Sequence, residues 1–436
     1  MRRRTTLVLA SVALLAAAGS ASAMLPVPLG GGPAPLAAAV VVQPAAVVTA
    51  EDPPTDAGLR LGSRVRAALA DAGATTVAAA VEVDGLGQVF RQDAGHPLPP
   101  ASTQKSFTGV AALLSLPDGL RYTTEVAARA KPSAGRLPGS LWLVAGGDPY
   151  LSRTGLRALA HSVRARGITY VTGDLLLDDS RYDAKRRAAG WKSDYVPDES
   201  GPLSALAVDR NAYRHDAAFL SDPALPNARL FRDYLAAEGV KVHGVTKRYR
   251  RTPDAWTVAS RQSGPIADVL RRALKASDNF AAEMVLKEVG RTVRGQGSSY
   301  AGHAAVVQVL KAQGVDAGTG TDGSGLSSYN RQTPAAQVQL LHVAEESPTA
   351  GAAFRRALPI ACHDGTLKTR MCNTPAALHL SAKTGTLPGV RALSGYTRTA
   401  SGREVWFSFQ LTGVQNGTKA RNAIDRAAVV LASATE

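Results

Sequence analysis

The chain has 436 residues and sets 50 Lys and Arg against 35 Asp and Glu, a formal charge of +15. That length exceeds one ordinary hydrophobic core, so two or three domains are expected. Two cysteines and eight histidines, with no His-Glu-x-x-His, make no closed zinc spacing; no metal or other cofactor is implied, and no basic run interleaved with aromatics points to nucleic acid.

The first residues read as an export leader: Arg2-Arg3-Arg4, an apolar run from Leu7 to Ala18, then the small-x-small site Ala21-Ser22-Ala23. Cleavage is expected after Ala23, because the apolar run falls short of the ~20 residues that a retained bilayer anchor requires. Without those three arginines the charge is still +12. Such a field favours acidic cell-wall polymers as partners, although arginines scattered along an Ala-rich and Arg-rich chain that merely keep it soluble explain it equally well. The mature protein is expected outside the cytoplasm, secreted or associated with the cell wall. Residues 24–57 are rich in Pro, Ala, Val and Gly and form a linker.

Near Gly58 a helical stripe begins, Leu61, Val65, Ala68 and Leu69, and it stops at Gly73. Strands Thr76 to Val83 and Gln88 to Gln92 follow, flanking a hairpin turn at Asp84-Gly85-Leu86-Gly87. Pro99-Pro100 halts extended structure. A helix opening at about Ala101 sets Ser102 in its first turn, where unpaired amides and the positive helix end face the side chain. Lys105 lies three residues on, on the same face, so its amine can take the Ser102 proton without a histidine. To act as a base it must lose proton affinity, through burial or a second cation such as Lys383.

Two further motifs answer that pair. Ser277-Asp278-Asn279 offers a proton relay, and Lys383-Thr384-Gly385-Thr386 offers a carboxylate grip on a sheet-edge strand where Gly385 permits close backbone approach. Ser-x-x-Lys occurs only at 102 and Lys-Thr-Gly only at 383. Ser328-Tyr329-Asn330 also fits Ser-x-Asn, but Ser277 precedes a helical stretch, Ala281 to Val289, whereas Ser328 belongs to a glycine-rich loop from Gly318. A functional site needs the three motifs within hydrogen-bond reach. The stretch between Lys105 and Ser277 must therefore fold elsewhere and return, and residues 126–258 read as a strand-rich insertion with runs at Ser140 to Ala145 and Tyr170 to Leu177. Beyond it, helical patterns cover 265–289 and 301–313, strands 379–384, 391–398 and 403–412, and a closing helix Arg421 to Ser433. In an oxidising compartment Cys362 and Cys372 are read as a disulfide, worth roughly 3 kcal/mol for so short a loop.

These three motifs, with Gly147-Asp148-Pro149, Val171-Thr172-Gly173-Asp174, Asp322-Gly323-Ser324-Gly325-Leu326-Ser327 and Asp364-Gly365-Thr366-Leu367, make the chain resemble the exported D-alanyl-D-alanine carboxypeptidases and endopeptidases among the class C, low-molecular-mass penicillin-binding proteins. The resemblance runs from about residue 60 to the end. It implies an α+β fold: a penicillin-recognising, serine transpeptidase/β-lactamase-like domain, an antiparallel sheet flanked by helices, formed by residues 58–125 plus 259–436 and interrupted by accessory domain material at 126–258. It implies Ser102 as nucleophile and Lys105 as base, with Ser277 relaying a proton to the leaving amine. Asn279 would hold the substrate backbone, and Lys383, Thr384 and Thr386 the terminal carboxylate beside Gly385. The amides of Ser102 and Thr386 would form an oxyanion hole. Peptidoglycan stem peptides are the implied substrates, with endopeptidase cleavage of D-Ala to meso-diaminopimelate cross-links a second activity the resemblance leaves open, and β-lactam antibiotics are the implied covalent inhibitors. The family commonly lacks cysteines where Cys362 and Cys372 sit. Two other readings remain: a β-lactamase of the same fold, for which no Glu-x-x-x-Asn occurs between Asn279 and Lys383, and a non-catalytic wall-binding module, which has no need of Ser102 or Lys105.

Overall fold

A computed structural model describes residues 53–436. The leader expected at 1–23 and the linker up to residue 52 lie outside the described residues. Among those described, no helix is long and apolar enough to cross a membrane.

The C-terminal strand Glu404–Thr412 alternates along its length: Val405, Phe407, Phe409 and Leu411 enter one apolar core, while Trp406, Ser408 and Gln410 take the opposite face. It pairs antiparallel with Thr76–Val83 on one side and Val390–Arg398 on the other. Gly87–Gln92 and Ser381–Leu387 complete a five-stranded antiparallel sheet as its two edges. Helices Asp56–Leu69 and Gly417–Ala432 cover the first face through Leu61, Val65, Ile424 and Leu431. Pro334–Glu346 lies on the other face, where the Trp406 indole donates to Glu345 Oε2 at 2.6 Å. The expected strand 379–384 starts two residues later, because Leu380 closes a turn on the Ala376 carbonyl.

Residues 123–262 build a second sheet in the order Trp256–Gln262, Thr123–Ala128, Leu141–Val144, Leu175–Asp178, Thr246–Arg248. Its first two pairings are antiparallel and its last two parallel. Parallel neighbours require crossovers. Helices Arg153–Ala165 and Ala224–Ala237 supply them, burying Leu156, Leu159, Val163, Phe231 and Leu235 against the sheet. These two helices accompany the strands that the sequence pattern suggests. The run Tyr170 to Leu177 is broken in two: Tyr170–Val171 joins a small parallel sheet with Arg136–Leu137 and Lys241–Val242, while Leu175–Asp178 joins the larger one. Gly173 makes the break, since a Cβ there would lie 2.7 Å from the Gly139 carbonyl carbon.

Between the sheets stands a helical layer. Gln104–Ser115 is buried at every position but Leu114. The helical pattern at 265–289 is interrupted: Ile266–Ala276 ends at Ser277, which adopts a left-handed backbone (φ 55°), and Asp278 caps a new helix, Asn279–Arg294, by accepting from the Ala281 amide at 3.1 Å. That second helix is buried from Phe280 to Gly290. Phe280 and Met284 pack into the core of the second sheet, and Ala281, Val285, Leu286 and Val289 into the helical core. It also carries charges inward, each answered: Lys287 donates to Asp183 at 2.5 Å, and Glu288 accepts from Arg181 at 2.7 Å and from the Tyr182 hydroxyl at 2.9 Å.

Candidate active site

Ser102 sits in a single 3-10 turn, Ala101–Thr103, that leads into Gln104–Ser115. The turn is held from outside. Ala101 has a left-handed backbone (φ 47°), and Gly325 (φ 90°) packs so closely on it that a Cβ there would fall 1.9 Å from the Ala101 carbonyl oxygen. Gly385, on the edge strand, meets the same turn from the other side: its Cβ would stand 2.8 Å from the Pro100 oxygen and 3.3 Å from the Ala101 Cβ. Two glycines thus let a loop and a strand close on the residue before the serine.

The Lys105 side chain is 1 % exposed, and its Nζ donates to Ser102 Oγ at 2.9 Å, to Asn279 Oδ1 at 2.7 Å and to the Ser324 carbonyl at 2.6 Å. Buried Glu283 fixes that carbonyl by accepting from the Gly323 and Ser324 amides at 2.7 and 2.9 Å. Asp322 fixes the rest of the loop, accepting from the Trp191 indole at 2.7 Å, from Ser324 Oγ at 2.8 Å and from Asn330 Nδ2 at 2.5 Å. Burial lowers the Lys105 amine to about 8, against the upward pull of Asp322, Asp278, Glu283 and Glu199. Glu283 is pushed up to about 8 by burial and by the charge of Asp322.

Lys383 is equally buried, and its Nζ donates to Ser277 Oγ at 2.9 Å and to the Thr384 carbonyl at 2.9 Å. Burial first, and the Lys105 charge second, hold its proton affinity well below that of a free lysine. Of the two routes expected to weaken Lys105, burial is the one that acts; the second-cation effect falls on Lys383.

Ser102, Ser277, Asn279, Thr384 and Thr386 line one cleft of about 850 Å³. Asn279 also donates from Nδ2 to the Glu199 carbonyl at 2.9 Å. Ser328 is solvent-exposed, and Asn330 is buried on Asp322; neither lines the cleft. Cys362 and Cys372 are bonded, with Cα atoms 4.9 Å apart. The loop they close carries Asp364, which takes the Lys275 ammonium at 2.5 Å, and Thr366, whose hydroxyl meets that of Thr384 at 2.8 Å. Thr366, Leu326 and Glu199 also line the cleft, and sequence reasoning assigned none of them a role. The first two stand in glycine-containing segments noted only for their resemblance. Glu199 comes from the second sheet's stretch, and no local pattern ties it to Asn279.

Residues 61–221 and 216–435 match the D-Ala-D-Ala carboxypeptidase 3 (S13) family. The D-alanyl-D-alanine carboxypeptidase of Actinomadura sp. (strain R39) is 30% identical over 414 residues, covering 76% of this chain and 75% of that protein. Carboxypeptidase DacB of Mycolicibacterium smegmatis is 31% identical over 402 residues, covering 87% and 85%. Among solved structures, penicillin binding protein 4 from Haemophilus influenzae superposes with a TM-score of 0.73 at 23% identity, over 84% of this chain and 97% of that one, which shows the shared fold. With its motifs gathered in one cleft and its fold and sequence matched along nearly their whole described length, the chain belongs to the D-Ala-D-Ala carboxypeptidase 3 (S13) family of peptidases.

Proposed function

We propose that the protein is exported and removes the terminal D-alanine from peptidoglycan stem peptides through an acyl-enzyme on Ser102. One observation carries the reading: a fully buried amine of weakened basicity, Lys105, lies 2.9 Å from the Ser102 hydroxyl. The substrate's C-terminal carboxylate docks at Thr384 and Thr386, beside Lys383. An anion there raises the proton affinity of Lys383, and the cation so formed lowers that of Lys105. Binding therefore moves the site's positive charge towards the grip and frees the base.

Ser102 Oγ then bonds to the penultimate D-alanine carbonyl carbon while its proton passes to Lys105. The C–N bond breaks as Ser277 gives its hydroxyl proton to the leaving nitrogen and is replenished by Lys383. In the second half, water attacks the ester, its proton returns through Ser277 to Lys383, and Lys105 hands its proton back to Ser102. Each amine ends as it began. The leader sequence and the Cys362–Cys372 bond support action in an oxidising space outside the cytoplasm.

The test uses a fluorescent penicillin and a peptide ending in D-Ala-D-Ala. The wild type should take a durable label and release D-alanine, and Ser102→Ala should do neither while keeping its thermal midpoint. Label that vanishes with antibiotic hydrolysis would instead make the protein a β-lactamase, and no label at all a binding module.

A further inference from the structure

The two buried lysines differ in how many acceptors they face. A charged ammonium carries three donor hydrogens and a neutral amine two. Lys105 has three acceptors, Ser102 Oγ, Asn279 Oδ1 and the Ser324 carbonyl. Lys383 has two among the described residues, Ser277 Oγ and the Thr384 carbonyl, so its surroundings suit the neutral amine and lack one acceptor for the charged one. The sheet beside it holds hydroxyls without partners. Lys383, Ser394, Ser408 and Ala80 are successive register partners across four strands, so their side chains share one face. It is the face that carries the Ser102 turn, because Gly385, two residues from Lys383, packs against Pro100 and Ala101. Ser394 and Ser408 are buried, and neither hydroxyl has a hydrogen-bond partner among the described residues. Gln410, in the row of Gly385, has none at either amide atom.

A buried hydroxyl without a partner costs stability, so its presence calls for a role. The next row of the same face supplies the contrast. There Tyr396 Oη donates to the Leu341 carbonyl at 2.9 Å, Trp406 Nε1 donates to Glu345 Oε2 at 2.6 Å, and Glu82 Oε2 lies 2.7 Å from His342 Nε2. Among the described residues of this face, the unanswered polar atoms all belong to the rows of Lys383 and Gly385. A serine hydroxyl turns about its C–O bond, so its oxygen can accept from a new donor while its hydrogen swings to the next oxygen. In the mechanism above the substrate's carboxylate charges Lys383, and that charging creates a third donor. We propose that Ser394, backed by Ser408, is a positioning residue for Lys383: Ser394 Oγ accepts the third hydrogen of the ammonium and turns its own to Ser408 Oγ, holding the amine in line with Ser277. The proposal rests on the acyl-transfer reading of the cleft and deepens it. Preference for a carboxylate-ended donor then depends on two residues that do not line the cleft.

The experiment measures release of the leaving group from a peptide ending in D-Ala-D-Ala and from the same peptide with its terminal carboxylate amidated, on wild type, Ser394→Ala, Ser394→Thr and Ser408→Ala. Ser394→Ala should lower kcat for the carboxylate donor about tenfold and for the amide donor by less than about twofold, with either KM within about twofold. Ser408→Ala should move the ratio of the two donors the same way, by about threefold. Ser394→Thr restores a hydroxyl on a strand that suits a β-branched residue, and should return the ratio to within about threefold of the wild type. Because the hydroxyls lack partners, neither alanine variant should melt below the wild type. The proposal is overturned if both donors slow in step, if neither slows, or if the threonine variant is no faster than the alanine one. It is equally overturned if the alanine variants melt lower, which would show the hydroxyls already bonded, or if the wild type makes no distinction between the donors. A wild type that neither takes penicillin label nor releases D-alanine overturns instead the acyl-transfer reading beneath it.

Discussion

Lys105 and Lys383 are two buried amines serving one pocket, and the pocket disfavours charging both. Asp322, Asp278 and Glu283 favour the proton on Lys105, whose affinity burial lowers to about 8, while burial and the Lys105 charge hold Lys383 well below a free lysine. The neutral form of Lys105, the proposed base, thus grows with pH. The second-order acylation constant should rise roughly tenfold per pH unit below a midpoint of about 8 and then level, because this constant reports the free enzyme. The first-order constant at saturation reports the complex, and there the chemistry of the donor matters. A donor ending in a carboxylate recharges Lys383 and should move the midpoint down; the same donor ending in an amide should leave it near 8. Stopped-flow acylation across this range with both donors gives the answer, and equal midpoints at saturation would falsify the transfer of charge between the amines. Ser102 and Lys105 were legible in the sequence because their relation is local, three residues on one helical face. Glu283 was not. A glutamate in a helix reads as solvated, and only the fold shows its carboxylate receiving two amides of the loop that holds Lys105.

Elements explain how the pocket keeps its shape. The edge strand Ser381–Leu387 passes the 3-10 turn so closely that only a glycine fits at 385. Gly385→Val would drive the strand away from Pro100 and Ala101, widening the gap between Thr386 and Ser102. Misplacing reacting groups by about an ångström costs on the order of a hundredfold, so penicillin acylation should fall by about that factor. The strand's ladder to Val390–Arg398 is intact from Ser381 to Leu387, so circular dichroism and the melting midpoint should change little; full-rate labelling of the valine variant would show that the close approach is incidental. Strands of this sheet were legible because alternation and turn residues are local signals, as at Thr76–Val83 with its hairpin. The second sheet hid its connections. The 3.6-residue stripe of Leu156, Leu159, Ala160 and Val163, with Ser152 capping the Gly155 amide at 3.0 Å, is present in the sequence. What no stripe reveals is that the strands on either side pair in parallel and so demand that helix as a crossover.

At the scale of the whole molecule, the stretch 123–262 is more than an appendage to the catalytic sheet. Its ends are neighbours, Thr123 and Gln262 being register partners, so a short linker could replace everything between them without straining the chain. The interior forbids it. Phe280, Met284 and Leu326 are buried in that stretch's core. Lys287 and Glu288, both fully buried, find their counter-charges on Asp183 and Arg181. Removing the partners of buried charges costs about 3–5 kcal/mol for each pair, and baring three large apolar side chains adds about 1.5–3 kcal/mol apiece. Together these rival the 5–15 kcal/mol that holds an ordinary domain. Asn279 would also lose the Glu199 carbonyl that orients its amide, so any surviving fold would present Lys105 with a loosened partner. A chain in which a short linker joins Thr123 to Gln262 should therefore be recovered insoluble or protease-sensitive, and should take no penicillin label. A soluble deletion product that labels at the wild-type rate would mean the catalytic sheet and its helices fold without the second sheet, and that Lys287 and Glu288 are tolerated bare.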